Sequence, residues 1–277
     1  MKRYEDLDIT DNFMFCKVFS NEDVAKDFLQ DVLKITIDKI TVVGEATTQE
    51  DPFHKSVRFD VAVKEDVVDE SGNPSIGRYF DIELQMIDIG ELPKRARYYQ
   101  GMCDLDVLAR GTDYDELGEQ YVLFICPRDI FGADKAVYKF QNREESDPNI
   151  LMGDLTYKNF YIFEKYLDIK DKSTREYMQY FATKKGESEK IKRIHKLVER
   201  YRKDPVTKKA FMTLEQELNI RYKKGRKEGR EEGRAEGRAE GTDSTKRELA
   251  KAFRDDGFPI EAIAKRTGLS LEEIKAL

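Results

Sequence analysis

The sequence predicts an α/β domain followed by an α-helical C-terminal extension. Three patterns carry that prediction. Apolar residues alternate with polar ones from Ile37 to Met86, with β-branched residues enriched; Gln120–Cys126 is a continuous apolar run; and both ends of the chain repeat apolar residues at helical spacing. Alternation marks half-buried strands, and an unbroken apolar run marks a strand buried on both faces.

At the N-terminus, Thr10 or Asp11 can cap a short helix through Phe19, and Ser20 or Asn21 can cap a second in which Val24, Phe28, Leu29, Val32 and Leu33 share a face. Three strands are expected between Ile37 and Met86, two of them joined by the turn signal Gly72-Asn73-Pro74. Leu92–Ala109 reads as a helix, and Ala136–Phe140 and Asn159–Glu164 as further strands. From Thr174 to Tyr222 the spacing is helical. It runs into a tetrapeptide repeat with glycine at 225, 229, 233, 237 and 241. Glycines four apart lie along one side of a helix and permit close backbone approach, yet each costs about 1 kcal/mol relative to Ala, so a partner helix and a flexible linker both stay open. Thr242–Leu277 reads as two or three short helices, with Pro259 opening one and Ser270 and Glu273 forming a capping box on the last. These changes of pattern divide the chain into a front domain, 1–170, a helical extension, 171–224, the repeat, 225–241, and a small helical tail, 242–277.

The composition limits the function classes. Of 277 residues 39% are hydrophobic and 38% charged, well above the usual ~25% charged but with enough apolar residues for a substantial core. No stretch approaches the about 18 apolar residues of a membrane helix, and Met1-Lys2-Arg3-Tyr4-Glu5-Asp6 lacks the apolar run of a signal peptide, so the expected location is the cytoplasm with no membrane partner. Cys16, Cys103 and Cys126 are odd in number and far apart, which fits reduced packing residues better than a disulfide framework or paired-Cys zinc site. The net charge of -6 conceals a division: residues 184–254 carry 23 Lys plus Arg against 13 Asp plus Glu, whereas residues 1–183 carry 23 against 37. A basic arm for nucleic acid and a solvated helical surface both explain the stretch.

The two strands around the turn hold the most informative side chains. With Val57, Phe59, Val61 and Val63 on one face, Asp60 falls on the other; with Phe80, Ile82, Leu84 and Met86 on one face, Asp81, Glu83 and Gln85 fall on the other. A turn centred between Gly72 and Asn73 places Asp60 opposite Gln85 and diagonal to Glu83, and a turn centred one residue earlier places Asp60 opposite Glu83. Either register brings the two carboxylates within about 5–8 Å. A cation between them would offset their repulsion, and oxygen ligands without His or Cys favour Mg²⁺ or Mn²⁺ over zinc. The alternative is the solvated face of an edge hairpin, where such alternation is ordinary.

These segments carry a resemblance. Asp60 followed by Glu83-Leu84-Gln85 and then a helix resembles the PD-(D/E)xK nuclease signature. The stretches Thr10-Asp11-Asn12-Phe13-Met14-Phe15-Cys16-Lys17-Val18-Phe19, Arg58-Phe59-Asp60-Val61, Asp81-Ile82-Glu83-Leu84-Gln85 and Arg95-Ala96-Arg97-Tyr98-Tyr99 are similar to the Rpn family of recombination-promoting nucleases and transposases, over roughly residues 4–165. A Gly-rich repeat with a short helical tail also recurs in that family. The resemblance implies a restriction-endonuclease-like mixed sheet flanked by helices in residues 1–170, and Mg²⁺- or Mn²⁺-dependent cleavage of DNA phosphodiesters linked to recombination or mobile elements. It implies that Asp60, Glu83 and the main-chain carbonyl of Leu84 bind the metal, that Asp11 adds an acid, and that Gln85 stands where the superfamily has Lys. Gln can orient water but brings no charge, which moves charge stabilisation to the metal, Arg95 or Lys17. Tyr99, one turn after Arg95, either meets the phosphate with it or packs. Asp81 is expected to be solvated and His54 to be a loop residue without catalytic duty.

The tail Ile260–Ile274 resembles a resolvase-type helix-turn-helix, but Glu272 and Glu273 sit where the second helix would meet phosphate, which favours packing or dimerisation over base readout. The expected assembly is a homodimer through this helical region. The competing class is a catalytically inactive nucleic-acid-binding or oligomerisation protein that keeps the nuclease fold, a reading supported by the missing Lys and the acidity of residues 1–183.

Overall fold

The computed structural model describes residues 2–44, 47–48, 57–58, 60–68, 74–87, 90–107 and 113–277. His54, Phe59 and the Gly72-Asn73 turn lie outside them. Residues 1–209 and 210–277 form two compact units.

The first unit is built on a six-stranded mixed sheet of order β1-β4-β5-β6-β8-β7. Its strands are β1 (Ile40–Gly44), β4 (Val61–Val68), β5 (Pro74–Leu84), β6 (Glu119–Cys126), β7 (Val137–Phe140) and β8 (Thr156–Ile162); β2 (Thr47–Thr48) and β3 (Val57–Arg58) form a separate two-stranded ribbon. The pairs β1–β4, β4–β5 and β7–β8 are antiparallel, whereas β5–β6 and β6–β8 are parallel. The mixed sheet flanked by helices is the architecture the resemblance implied.

Helices α1 (Asn12–Phe19), α2 (Glu22–Leu33), α4 (Lys172–Thr183) and α5 (Glu189–Lys203) stand on one side of the sheet. Phe15, Phe19, Phe28 and Phe181 interleave there with ring centroids 4.5–6.2 Å apart, and the Tyr161 hydroxyl of β8 donates to the Val32 carbonyl of α2. Of the caps expected here, Asn21 accepts from the Val24 amide, whereas Asp11 at the start of α1 makes no side-chain cap bond; Asp171 caps α4 by accepting from Thr174 and Ser188 caps α5 by accepting from Ile191.

The opposite face is covered by α3 (Leu92–Val107). Leu92, Ala96, Tyr99, Met102 and Cys103 pack on Ala62, Tyr79, Val122, Phe124, Phe160 and Ile162. This layer changes one expectation. Strand β5 is interior, flanked by β4 and β6, and its polar face lies under α3 rather than in water. Asp81 and Glu83 are accordingly buried, at 0% and 2% exposure, so the edge-hairpin alternative and the solvated Asp81 are both corrected.

All three cysteines are buried thiols. In the chain beyond, α6 (Pro205–Asp255) includes the whole glycine repeat, so the repeat is helical; α7 (Ile260–Thr267) and α8 (Leu271–Lys275) follow. Ala250, Ile263, Leu269 and Ile274 form the second unit's small core, and Ser270 with Glu273 makes the capping box expected there. Among the described residues no helix is long and apolar enough to cross a membrane.

Candidate active site

Register decides how the acids meet. Val61 pairs with Ile82, Ala62 with Asp81 and Val63 with Phe80, which is the register that sets Asp60, one residue before β4, level with Glu83. The two residues clasp each other: the Asp60 amide donates to Glu83 Oε1 at 2.9 Å, and the Leu84 amide donates to Asp60 Oδ2 at 3.1 Å. A bulge between Lys64 and Asp66 shifts the rest of the ladder by one residue. The site end therefore keeps a regular pairing whatever the far turn does.

Two further elements close on this pair. Asn12, the first residue of α1, donates its Nδ2 to Asp60 Oδ1 at 3.0 Å. From the first turn of α3, Arg95 gives one N–H to Glu83 Oε2 at 3.1 Å, another to Gln85 Oε1 at 2.6 Å, and others to the Tyr99 hydroxyl at 2.7 and 3.2 Å. The guanidinium lies 5.2 Å from the Tyr99 ring centre and 5.7 Å from that of Phe124. The spacing of four from Arg95 to Tyr99 places them on one helix face, and Tyr99 is buried. Gln85 is held at both ends, its Nε2 donating to the Ile87 carbonyl.

Asp81 lies beneath this arrangement, between Ala62 and Val122 in the ladder, and neither of its oxygens meets a hydrogen-bond donor. Burial, followed by the negative charge of Asp60, holds its carboxyl well above the usual range. Burial, then Asp81 and Asp60, raises Glu83 as well, against the opposing pull of the Asp60 amide and Arg95. Asp81 and Glu83 lie close enough to share a proton when one of them carries it, but two ionised carboxylates are both acceptors and repel. Tyr99 is pushed up by burial and then by Glu83.

The other sequence candidates stand apart from the pair. Asp11 precedes Asn12, and its carboxylate is taken by Lys2 Nζ at 2.9 Å and the Asp8 amide at 2.7 Å. Lys17 is exposed on α1, its ammonium 5.9 Å from the Phe13 ring centre. Sequence reasoning missed Asn12 as a partner of Asp60, though it stands inside the quoted opening motif. It also misplaced Asp81, whose burial depends on α3 and is invisible to strand alternation.

The groups of Asp60 and Glu83 that could ligate a metal are carboxylate oxygens, the ligand type of a hard divalent cation. Among the described residues no three His, Cys, Asp or Glu converge on a point able to hold a metal. Protein ligation there would come from two carboxylates and main chain, which suits Mg²⁺, an ion that keeps several waters. Burial and Asp60 hold the Asp81 carboxyl beside the pair toward its neutral form, and a cation there would draw it toward ionisation.

The stretch from residue 9 to residue 233, which contains every one of these residues, matches the model of the PD-(D/E)XK nuclease family transposases. The chain belongs to that family. Membership makes it a nuclease-type protein related to transposases, and it accounts for the mixed six-stranded sheet flanked by helices. No match was found among curated proteins or among solved structures.

Proposed function

We propose that the protein is a Mg²⁺- or Mn²⁺-dependent DNA endonuclease acting in recombination or mobile-element biology. The observation that carries the reading is the Asp60–Glu83 clasp, with Arg95 against Glu83, inside the family-matched segment. Asp60, Glu83 and the Leu84 carbonyl would hold the metal, which when bound lowers the pKa of coordinated water and neutralises charge on the phosphate.

The chain's own residues do the rest. Asn12 and the Leu84 amide fix the Asp60 carboxylate from two directions, so that it is oriented before any ligand arrives. Arg95 supplies the fixed positive charge that Gln85 lacks, and its fork is suited to a phosphate oxygen as well as to Glu83. Gln85 orients the attacking water through Nε2 once that group leaves the Ile87 carbonyl, while Arg95 holds its Oε1. Asp11, Lys17 and Tyr99 are assigned lesser duties: Asp11 as an acid at the mouth of α1, Lys17 as a phosphate contact, and Tyr99 as the support of Arg95. DNA affinity draws on the basic stretch 184–254, and self-association on the C-terminal helices.

Relaxation of supercoiled plasmid with Mg²⁺, absent in EDTA and lost in Asp60→Ala and Glu83→Ala, tests the proposal. A parent protein that is inert with both Mg²⁺ and Mn²⁺ favours the noncatalytic alternative. Asp81→Ala, which solvation would have made a neutral control, is not one, since that residue is buried between Ala62 and Val122.

A further inference from the structure

A cleft opens on the sheet face that carries the acids. It has a volume of about 360 Å³ and is walled by Arg97, Phe131, Phe140, Gln141, Lys158 and Phe160 among others. Register fixes its place: Glu83 is level with Phe124 on β6, Phe124 with Phe160 on β8, and Phe160 with Tyr138 on β7. With strands about 4.8 Å apart, Phe160 lies roughly 10 Å from Glu83. That is about three nucleotides at the ~3.4 Å rise of a duplex strand, and fewer along a stretched one.

The lining has two kinds of group. Phe131 stands 4.9 Å from Phe160, edge to face, and 5.0 Å from Phe140, with Phe140 6.0 Å from Phe160. Phe160 is buried, but Phe140 at the end of β7 is 43% exposed, so a supported ring presents itself to solvent. Cations flank it: Lys158 is Phe140's partner in the ladder, and Arg97 is exposed on α3 two residues after Arg95. Aromatic faces between cations, on a domain that is otherwise acidic, match a base with its neighbouring phosphates. A base paired in a duplex offers only its edges, because its faces are covered by stacking, so an aromatic wall can engage only a base out of the stack.

We propose, on the basis of the nuclease reading above, that this cleft holds one unstacked nucleobase of the strand being cut, within a few nucleotides of the scissile phosphate. The base lies against Phe140 and Phe131, and its phosphates rest on Arg97 and Lys158. The substrate class is therefore DNA with a single-stranded stretch, a frayed end or an extruded base.

Fluorescence anisotropy in EDTA, with a 20-nucleotide oligothymidylate and a 20-base-pair duplex as probes, measures this without any chemistry. The single strand binds the wild type more tightly; Phe140→Leu, which keeps apolar volume but not a stacking face, weakens it about five- to a hundredfold, and Arg97→Ala weakens it too. A 5-iododeoxyuridine probe cross-links to the peptide bearing Phe131 or Phe140. Unchanged affinity in Phe140→Leu, cross-linking elsewhere, or no preference for the single strand overturns the proposal. Plasmid cleavage is scored separately: an active enzyme with an inert cleft loses only this inference, whereas base binding and cross-linking without any cleavage point to failure of the catalytic reading.

Discussion

Asp60 and Glu83 hold each other through each other's strand: the Asp60 amide binds the Glu83 carboxylate at 2.9 Å, while the amide after Glu83 binds the Asp60 carboxylate at 3.1 Å. Each carboxylate is thereby aimed by the backbone of the opposite strand, a more rigid placement than side-chain packing gives. If the pair is a metal site, Mn²⁺ raises the melting temperature of the wild type, and at a hundred times Kd the gain is about 2.7 kcal/mol. Asp60→Asn removes one negative ligand and abolishes the rise; differential scanning fluorimetry with and without Mn²⁺ measures it, and an undiminished rise in the variant rules out Asp60 as a ligand.

Arg95 is the one cation bonded to Glu83 among the described residues, and Glu83 is almost fully buried. Removing one member of such a pair leaves the other charge unpaired. Arg95→Ala is expected to destabilise the metal-free protein by about 3 kcal/mol in urea titration, part of it from lost packing on Tyr99 and Phe124. Glu83→Gln in the Arg95→Ala background recovers part of that loss. A double variant no more stable than Arg95→Ala alone would contradict the account.

The fold class was legible in the sequence because periodicity reports one face of an element at a time. Alternation through Val57, Phe59, Val61 and Val63 and the unbroken run in Gln120–Cys126 gave strands, and helical spacing gave α2 and α5. The Asp60–Glu83 pairing was one of two registers that alternation allows, and only the ladder separates them. What stayed hidden depends on distant chain. Asp81 reads as solvated until α3 covers it, and Asn12 has no pattern linking it to Asp60 across 48 residues. Phe140 gives no signal of being an exposed ring, because its surroundings come from α3 and the loop holding Phe131.

Asp81 and Glu83 also predict a pH dependence. A carboxyl raised in the folded state keeps its proton at pH values where the unfolded chain has already released it. Its burial is thus tolerated below the ordinary carboxylate range, and stability falls as pH rises through the higher native value. Metal-free wild type should lose stability from about pH 4 upward through the native titration, and Asp81→Asn should flatten the loss. Saturating Mn²⁺ opposes the trend, because it binds the deprotonated carboxylates more strongly as pH rises. Chemical denaturation across pH 4–8, with and without metal, separates the two effects; a wild type that gains stability over this range without metal refutes the assignment.

The glycine repeat yields the last test, because two roles for it predict opposite results. A Cβ added at 225, 229, 233, 237 or 241 meets nothing in the described chain, so none of these glycines is needed for packing within one copy. Each lowers helix stability by about 1 kcal/mol relative to Ala, a cost without return unless a second helix approaches along the stripe. Gly229→Ala with Gly237→Ala raises the helicity of the metal-free protein if the stripe is unused, and leaves its mass unchanged in sedimentation equilibrium. If the stripe is where two copies meet, the added methyls hold the backbones apart, and the same substitutions convert dimer to monomer despite the better helix former. Helicity by circular dichroism and mass by sedimentation then move in the same sample, and a dimer that persists with higher helicity places self-association elsewhere in the C-terminal helices.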